Sequence, residues 1–325
     1  MARPTFVAIS ESSLTHNLAK VRSSARAARV WAVVKADAYG HGLDIARRAF
    51  ADADGLALVE FEGATRLRQL GWKKPILMLE GAFDAEDHAL AQQLDLSLVI
   101  HNWIQLEFLL RAASNQPLSL YLKYNSGLNR LGFDDLGFRQ ARRQLHESGR
   151  AKRIDFMTHF ANSEIPGGAN EALKRFLDVT EGLDGERSTS NSAAIIGVPA
   201  AHQDWVRPGI MLYGATPYGD QSAASIGLLP AMHFGSRLLA IQDLNTGDGV
   251  GYGWLFKAPE SMRVGVVACG YADGYPRHAG PETPVMVAGQ RTRLIGRVAM
   301  DMFMVDLRPI SQPRIGDEVE LWGVM

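Results

Sequence analysis

From residue 29 onward the chain alternates short, continuous apolar runs with amphipathic stretches, and few folds accommodate that order. The apolar runs are "RVWAVVKA" (29–36), "DGLALV" (54–59), "PILMLE" (75–80), "LSLVI" (96–100), "LSLYLKYN" (118–125), "RIDFMTHF" (153–160) and "WVRPGIMLYG" (205–214), with a shorter, more polar "RSTSNS" (187–192) before the last. Between them, stretches such as "GATRLRQLGW" and "DLGFRQARRQLHES" place apolar residues three and four apart with charges on the other face, as surface helices do. Strands apolar on both faces and separated by helices form parallel sheets covered on both sides. Eight of them point to an α/β chain built as a (β/α)8 barrel.

After about residue 226 the texture changes. "MHFGSRLLAIQDL", "SMRVGVVACGYA", "TPVMVAG", "QRTRLIGRVAMDMFMVDL" and "DEVELWGVM" read as strands joined by Gly-, Pro- and Asp-containing turns, without helical periodicity. The expected organisation is a barrel over 11–225 and an all-β domain over 226–325, with an N-terminal strand in 1–10 that pairs with the C-terminal domain. At 325 residues, 46% of them hydrophobic, the chain is long enough for both cores. A formal net charge of −1 offers no broad basic field to nucleic acid or an anionic membrane, so small molecules and proteins are the expected partners. The single cysteine, Cys269, excludes an intrachain disulfide and a multi-cysteine metal site, and no apolar run is long enough to span a bilayer. A cytoplasmic protein with no metal is expected.

Functional groups of (β/α)8 barrels gather where the strands end at their C-terminal side. Read this way, Lys35 ends the first strand, Lys123 stands near the end of the fifth with "SGLNRLG" behind it, and His159 ends the sixth. "NSAA" (191–194) follows the seventh strand and "RPG" (207–209) lies in the eighth. Each alone has an ordinary explanation. A strand-end lysine can snorkel to water, a histidine can be a satisfied core residue, Ser before Ala-Ala suits a helix cap and "RPG" suits a turn. Their convergence on one rim points instead to a site. Phosphate sites in such barrels form after strands seven and eight, the place of Ser192 and the Gly209 and Ile210 amides. A lysine amine across the mouth from a phosphate site suits a phosphorylated aldehyde held as a Schiff base, and pyridoxal 5′-phosphate is the aldehyde of that kind. "GHGLDI" fails the dinucleotide G-x-G-x-x-G spacing, and there is no P-loop, H-E-x-x-H or G-x-S-x-G.

The segments "VVKADAYGHG", "KYNSGLNRLGF", "THFA", "SNSAA", "RPGIMLYG", "GVGYGWLF", "GYADGYPR" and "RVAMDM", in that order over residues 33–302, resemble alanine racemase. The resemblance implies an enzyme, an isomerase interconverting L- and D-alanine with pyridoxal 5′-phosphate, working as a homodimer whose active site is completed by the partner subunit. It implies a supply of D-alanine for peptidoglycan, or a place in alanine catabolism. On it, Lys35 holds the cofactor and is one catalytic base, and Tyr252 from the second subunit is the other. Tyr39, Ser192 and the backbone of Gly209 and Ile210 look like phosphate ligands. His159 packs near the pyridine ring and Arg207 meets its nitrogen. Arg130, Tyr271 and Met300 stand on the substrate side, and Lys123 matches a position that is often carbamylated. His41 receives no role.

The sequence departs from the family pattern at its end. The family runs on past the "ELWG" strand with a helical segment and a tyrosine that reaches the phosphate, whereas this sequence stops at "VELWGVM". A β domain truncated at its C-terminal end is therefore expected. Alternatives are a serine or broad-specificity racemase of the same fold, and a truncated cofactor-binding protein with little activity. A barrel-type decarboxylase calls for an acid in place of Arg207 and a late catalytic cysteine, which Cys269 does not match.

Overall fold

The computed structural model describes residues 3–112 and 116–323. The chain divides into two compact units, one from Glu11–Leu229 and the other from residues up to Ser10 together with those from Pro230 on. In the first unit, eight parallel strands close a barrel in sequence order. After β1 (Phe6–Ile9), which belongs to the other unit, they are β2 (Arg29–Val33), β3 (Gly55–Leu58), β4 (Ile76–Met78), β5 (Ser97–Ile100), β6 (Leu118–Lys123), β7 (Ala151–Met157), β8 (Arg187–Ser188) and β9 (Trp205–Val206). β9 pairs back onto β2 through Arg29↔Trp205 and Val30↔Val206, closing the ring.

The barrel floor is an aromatic plug. Trp31 stacks on Trp205 at 4.3 Å and meets Tyr121 edge-on at 6.2 Å, while its indole N–H donates to the Tyr121 hydroxyl. Aromatic pairs of this kind contribute about 0.5–1.5 kcal/mol beyond the area they bury. Gly55 on β3 leaves the space that the Trp31 ring fills, since a Cβ there would lie 2.1 Å from Trp31 Cζ3. The surrounding helices begin and end as their residues dictate. Asp134 caps the helix Asp135–Ser148 by accepting from Gly137 N–H, and Gly149 stops it in the left-handed region. Phe138, Ala141 and Leu145 bury its inner face.

Several strands are shorter than their apolar runs. β2 ends at Val33, so Lys35 belongs to the turn beyond it, and β9 ends at Val206, so Arg207 lies past the strand rather than in it. Pro208 lacks the N–H that a continued ladder needs. The first unit also runs past the expected boundary at 225. Buried Asn17 holds Leu229 by donating to its carbonyl and accepting its N–H, and His16 contacts the Gly227 carbonyl at 3.0 Å.

The second unit is all-β. β10 (Met232–Leu244), β13 (Met262–Val267), β16 (Phe303–Asp306), β15 (Gln290–Ile295), β14 (Pro284–Val287) and β17 (Glu318–Trp322) pair antiparallel in that spatial order, and β17 returns to β10. β1 adds to the same β10, with Phe6 opposite Gly235. β11 (Gly249–Val250) and β12 (Phe256–Lys257) form a separate small hairpin. The long run "QRTRLIGRVAMDMFMVDL" is two strands, because Gly296 at φ +71° breaks the ladder.

Gly55→Ala should drive the new methyl into the Trp31 ring and destabilise the barrel by about 1–3 kcal/mol. A lowered urea midpoint for the variant checks this; an unchanged midpoint would mean that the plug yields.

Candidate active site

The segment after β2 is unusual in its backbone. Ala36 (φ 53°, ψ 53°), Asp37 (49°, 50°) and Ala38 (56°, 51°) adopt left-handed helical angles, and Tyr39 follows at φ 55°. None of the four is glycine, and each left-handed L-residue costs about 1–2 kcal/mol. Local bonds hold the turn. The Glu60 carboxylate accepts Ala36 N–H at 2.9 Å, the Asp37 carboxylate accepts Leu43 N–H at 2.8 Å, and Gly40 N–H donates to the Ala36 carbonyl. Gly40 (φ +79°) and Gly42 (φ +92°) carry the chain out of the turn in conformations natural to glycine. Lys35 opens this turn and Tyr39 closes it.

Beside the turn lies the segment after β9, its neighbour in the closed ring. A Cβ on Gly209 would lie 2.5 Å from the Tyr39 hydroxyl oxygen, so the phenol tip rests directly on the glycine backbone. Gly209 N–H donates to the Ser192 hydroxyl oxygen at 3.0 Å, and Met211 N–H lies 3.4 Å from the same oxygen. The Ser192 oxygen therefore accepts from backbone, and its own hydrogen is left to donate elsewhere. The helix cap is Asn191 rather than Ser192: its side chain accepts Ala194 N–H at 3.1 Å, and Ser192 is the first helical residue.

These groups open into a cavity of about 600 Å³, also lined by Lys123, Arg130, His159, Arg207 and Ile210. Four cationic side chains, Lys35, Lys123, Arg130 and Arg207, face two acids there, Glu80 and Glu164. Arg207 is buried without a carboxylate partner. Its guanidinium donates to Ser188 Oγ at 2.7 Å and to the Thr158 carbonyl at 2.6 Å, and lies 3.5 Å from His159 Nδ1. Burial lowers Arg207 to about 10, which leaves it cationic at neutral pH. Burial, helped by the Arg207 charge, pushes His159 down to about 3, so its ring is neutral. Burial and the Arg207 and Arg130 charges bring Lys123, the last residue of β6, down to about 8. Such a cavity suits a small ligand carrying more than one negative charge. Among the described residues, no group of three or more His, Cys, Asp or Glu is placed to hold a metal ion, and no helix is long and apolar enough to cross a membrane.

Two family models cover almost the whole chain: "Alanine racemase, N-terminal domain" matches residues 9–217, and "Alanine racemase, C-terminal domain" matches 231–325. The chain belongs to the alanine racemase family. A relative called alanine racemase, from Janthinobacterium sp. (strain Marseille), is 50% identical over 99% of this chain and 91% of its own length. The crystal structure of the biosynthetic alanine racemase from Pseudomonas aeruginosa superposes with a TM-score of 0.96 at 44% identity, covering 99% of this chain and 91% of that one. The alanine racemase structure from Acinetobacter baumannii gives 0.93 at 35% identity over 99% of this chain and 91% of that one.

Within this family member, Lys35, Tyr39, Lys123, Arg130, His159, Ser192, Arg207, Gly209 and Ile210 share the barrel cavity. Tyr252, Tyr271 and Met300 belong to the β unit. Tyr252 is 74% exposed, between Gly251 and Gly253, both at positive φ, and Trp254 and Leu255 beside it are exposed as well. Tyr271 and Met300 sit on adjoining loops, joined by Tyr271 N–H to the Ala299 carbonyl and Ala272 N–H to the Met300 carbonyl. Glu60 and Glu80 were not singled out in the sequence. Both follow an apolar strand just as Lys35 does, and that position was the signal that could have found them.

Because His159 takes up its proton only near 3 when folded, but near 6.5 when unfolded, the unfolded chain binds more protons between those values. Stability is therefore lost as pH falls through that window. His159→Asn should make acid unfolding shallower there, and NMR of the folded protein should show no His159 titration between pH 8 and 5. A His159 midpoint near 6.5 would contradict the buried, cation-flanked site.

Proposed function

We propose that this chain is a pyridoxal 5′-phosphate-dependent alanine racemase interconverting L- and D-alanine. The observation that carries the reading is the contact of Tyr39 with Gly209, which brings the turn bearing Lys35 against the segment of Ser192, Gly209 and Ile210 inside a cation-rich cavity. The residues fit the cofactor: a Tyr39 hydroxyl that reaches the cradle only because Gly209 lacks a Cβ, a serine hydrogen left to donate, and a surplus of cations for phosphate and carboxylate. When bound, the cofactor supplies an aldehyde for the substrate amine and an electron-withdrawing ring that loosens the Cα proton.

The protein's own groups do the rest. Tyr39, Ser192 and the Gly209 and Ile210 backbone would hold the phosphate, and the Lys35 amine would hold the aldehyde. Lys35 and the cradle come from β2 and β9, which are neighbours in the barrel, so one small ligand would meet both. His159, neutral, packs beside the ring. Arg207 faces the ring nitrogen as a fixed cation and so opposes its protonation. Arg207 would thereby favour simple removal and return of a proton over decarboxylation. Arg130 holds the alanine carboxylate, with Tyr271 and Met300 of the partner subunit beside it.

Racemisation needs an acid–base group on each face of Cα. Lys35 Nζ serves one face and Tyr252 of the partner subunit the other, in a homodimer; the exposure of Tyr252, Trp254 and Leu255 supports this. Lys123, lowered to about 8, has a neutral fraction that adds CO2, forming an N–C bond and releasing one proton; the resulting anion orients Arg130. Cys269 lies in the β-unit core with its thiol pushed up to about 12 by burial, which argues against the decarboxylase reading. The likeness to the biosynthetic enzyme of Pseudomonas aeruginosa favours a biosynthetic over a catabolic role; in that role the enzyme works in the cytoplasm and its D-alanine goes to peptidoglycan.

With cofactor present, the protein should place solvent deuterium on Cα of both alanine enantiomers. Lys35→Ala should abolish exchange from both, and Tyr252→Phe should reduce exchange from one enantiomer by about 10²–10⁴-fold, the usual weight of one acid–base group. Absence of exchange from either enantiomer in the cofactor-loaded wild type would overturn the reading.

A further inference from the structure

We infer that Tyr213, with His41, is a positioning residue that fixes the Tyr39 hydroxyl over Gly209 and thereby sets the preference of the barrel mouth for a phosphorylated over an unphosphorylated pyridoxal; the inference rests on the cofactor reading above. Tyr213 ends the short helical segment Ile210–Tyr213, directly after Gly209, and its ring is buried. The Tyr39 ring stacks on it at 4.7 Å and 24°, the His41 ring packs on it at 4.7 Å and 38°, and Phe50 meets it edge-on at 6.0 Å.

Two hydrogen bonds tie this cluster to the left-handed turn and to the strand before it. The Tyr213 hydroxyl donates to the Val33 carbonyl at 2.8 Å, at the end of the strand that leads to Lys35. His41 Nδ1–H donates to the Tyr39 carbonyl at 3.0 Å, and its buried Nε2 has no partner. The His41 ring joins the cluster through its face, packed on Tyr213. The Tyr213 phenol is raised well above its ordinary value by burial, so it stays a neutral donor.

The turn has a reason to need this support. Residues 36–39 are all left-handed and non-glycine, so they relax unless neighbours over-determine them. Tyr213 belongs to the same segment as Gly209 and Ile210 and also carries the ring on which Tyr39 lies. The two arms of the cradle are thus joined through one side chain. Loosening that ring frees the Tyr39 hydroxyl from Gly209, and on the cofactor reading that hydroxyl meets the phosphate and not the rest of the ligand.

The test compares binding of pyridoxal 5′-phosphate and of pyridoxal to the full-length apoprotein by intrinsic fluorescence. Tyr213→Leu should weaken the phosphorylated compound about tenfold while pyridoxal changes less than about twofold. His41→Leu should act in the same direction and carries the comparison should Tyr213→Leu fail to fold. Tyr213→Phe keeps the ring and should retain most of the preference. Equal weakening of both compounds, or no weakening of either, in a folded variant would overturn the inference. A wild type that binds neither compound overturns the cofactor reading instead, and this inference with it.

Discussion

Everything at the barrel mouth depends on four consecutive residues, 36–39, held in left-handed geometry. A right-handed or extended continuation of β2 would carry Lys35 and Tyr39 in other directions and lose the contact between the Tyr39 hydroxyl and Gly209. The conformation costs several kcal/mol by the usual per-residue penalty, about 1–2 kcal/mol each. It persists because Glu60 accepts the Ala36 N–H, because the Asp37 side chain ties the turn to the Leu43 N–H beyond it, and because an aromatic cluster packs against it. Strain of this kind concentrates at functional sites.

Charge is the second organising constraint. Arg207 is buried with neutral oxygens as acceptors, and burial, aided by its field, lowers both His159 and Lys123. The site therefore holds a neutral imidazole, a partly neutral lysine and a permanent guanidinium within one cavity. A dianionic ligand is the natural complement to that arrangement.

Much of this was legible in the sequence because barrels announce themselves through apolar runs, and because polar residues at the ends of such runs stand out. Lys35, Lys123 and His159 were visible for that reason. The strand limits were less so, since Pro208 stops β9 before Arg207 while the hydropathy runs on to Tyr213. The left-handed turn was invisible. Nothing in "KADAY" marks a non-glycine left-handed segment, and its main external support, Glu60, lies 24 residues from the backbone it holds. Tyr213 and His41 were hidden likewise: one reads as a strand residue, the other as a loop residue, and only their packing joins them.

Two lysines share the cavity, and Lys123, lowered to about 8, is partly a free amine near neutrality. Position favours Lys35, because it rises from β2 beside the β9 segment, whereas Lys123 ends β6, four strands around the ring. Borohydride reduction of the cofactor-loaded protein, followed by peptide mass mapping, separates the two. The account predicts the phosphopyridoxyl mass on the peptide carrying Lys35; the same mass on the Lys123 peptide, with Lys35 unmodified, would contradict it.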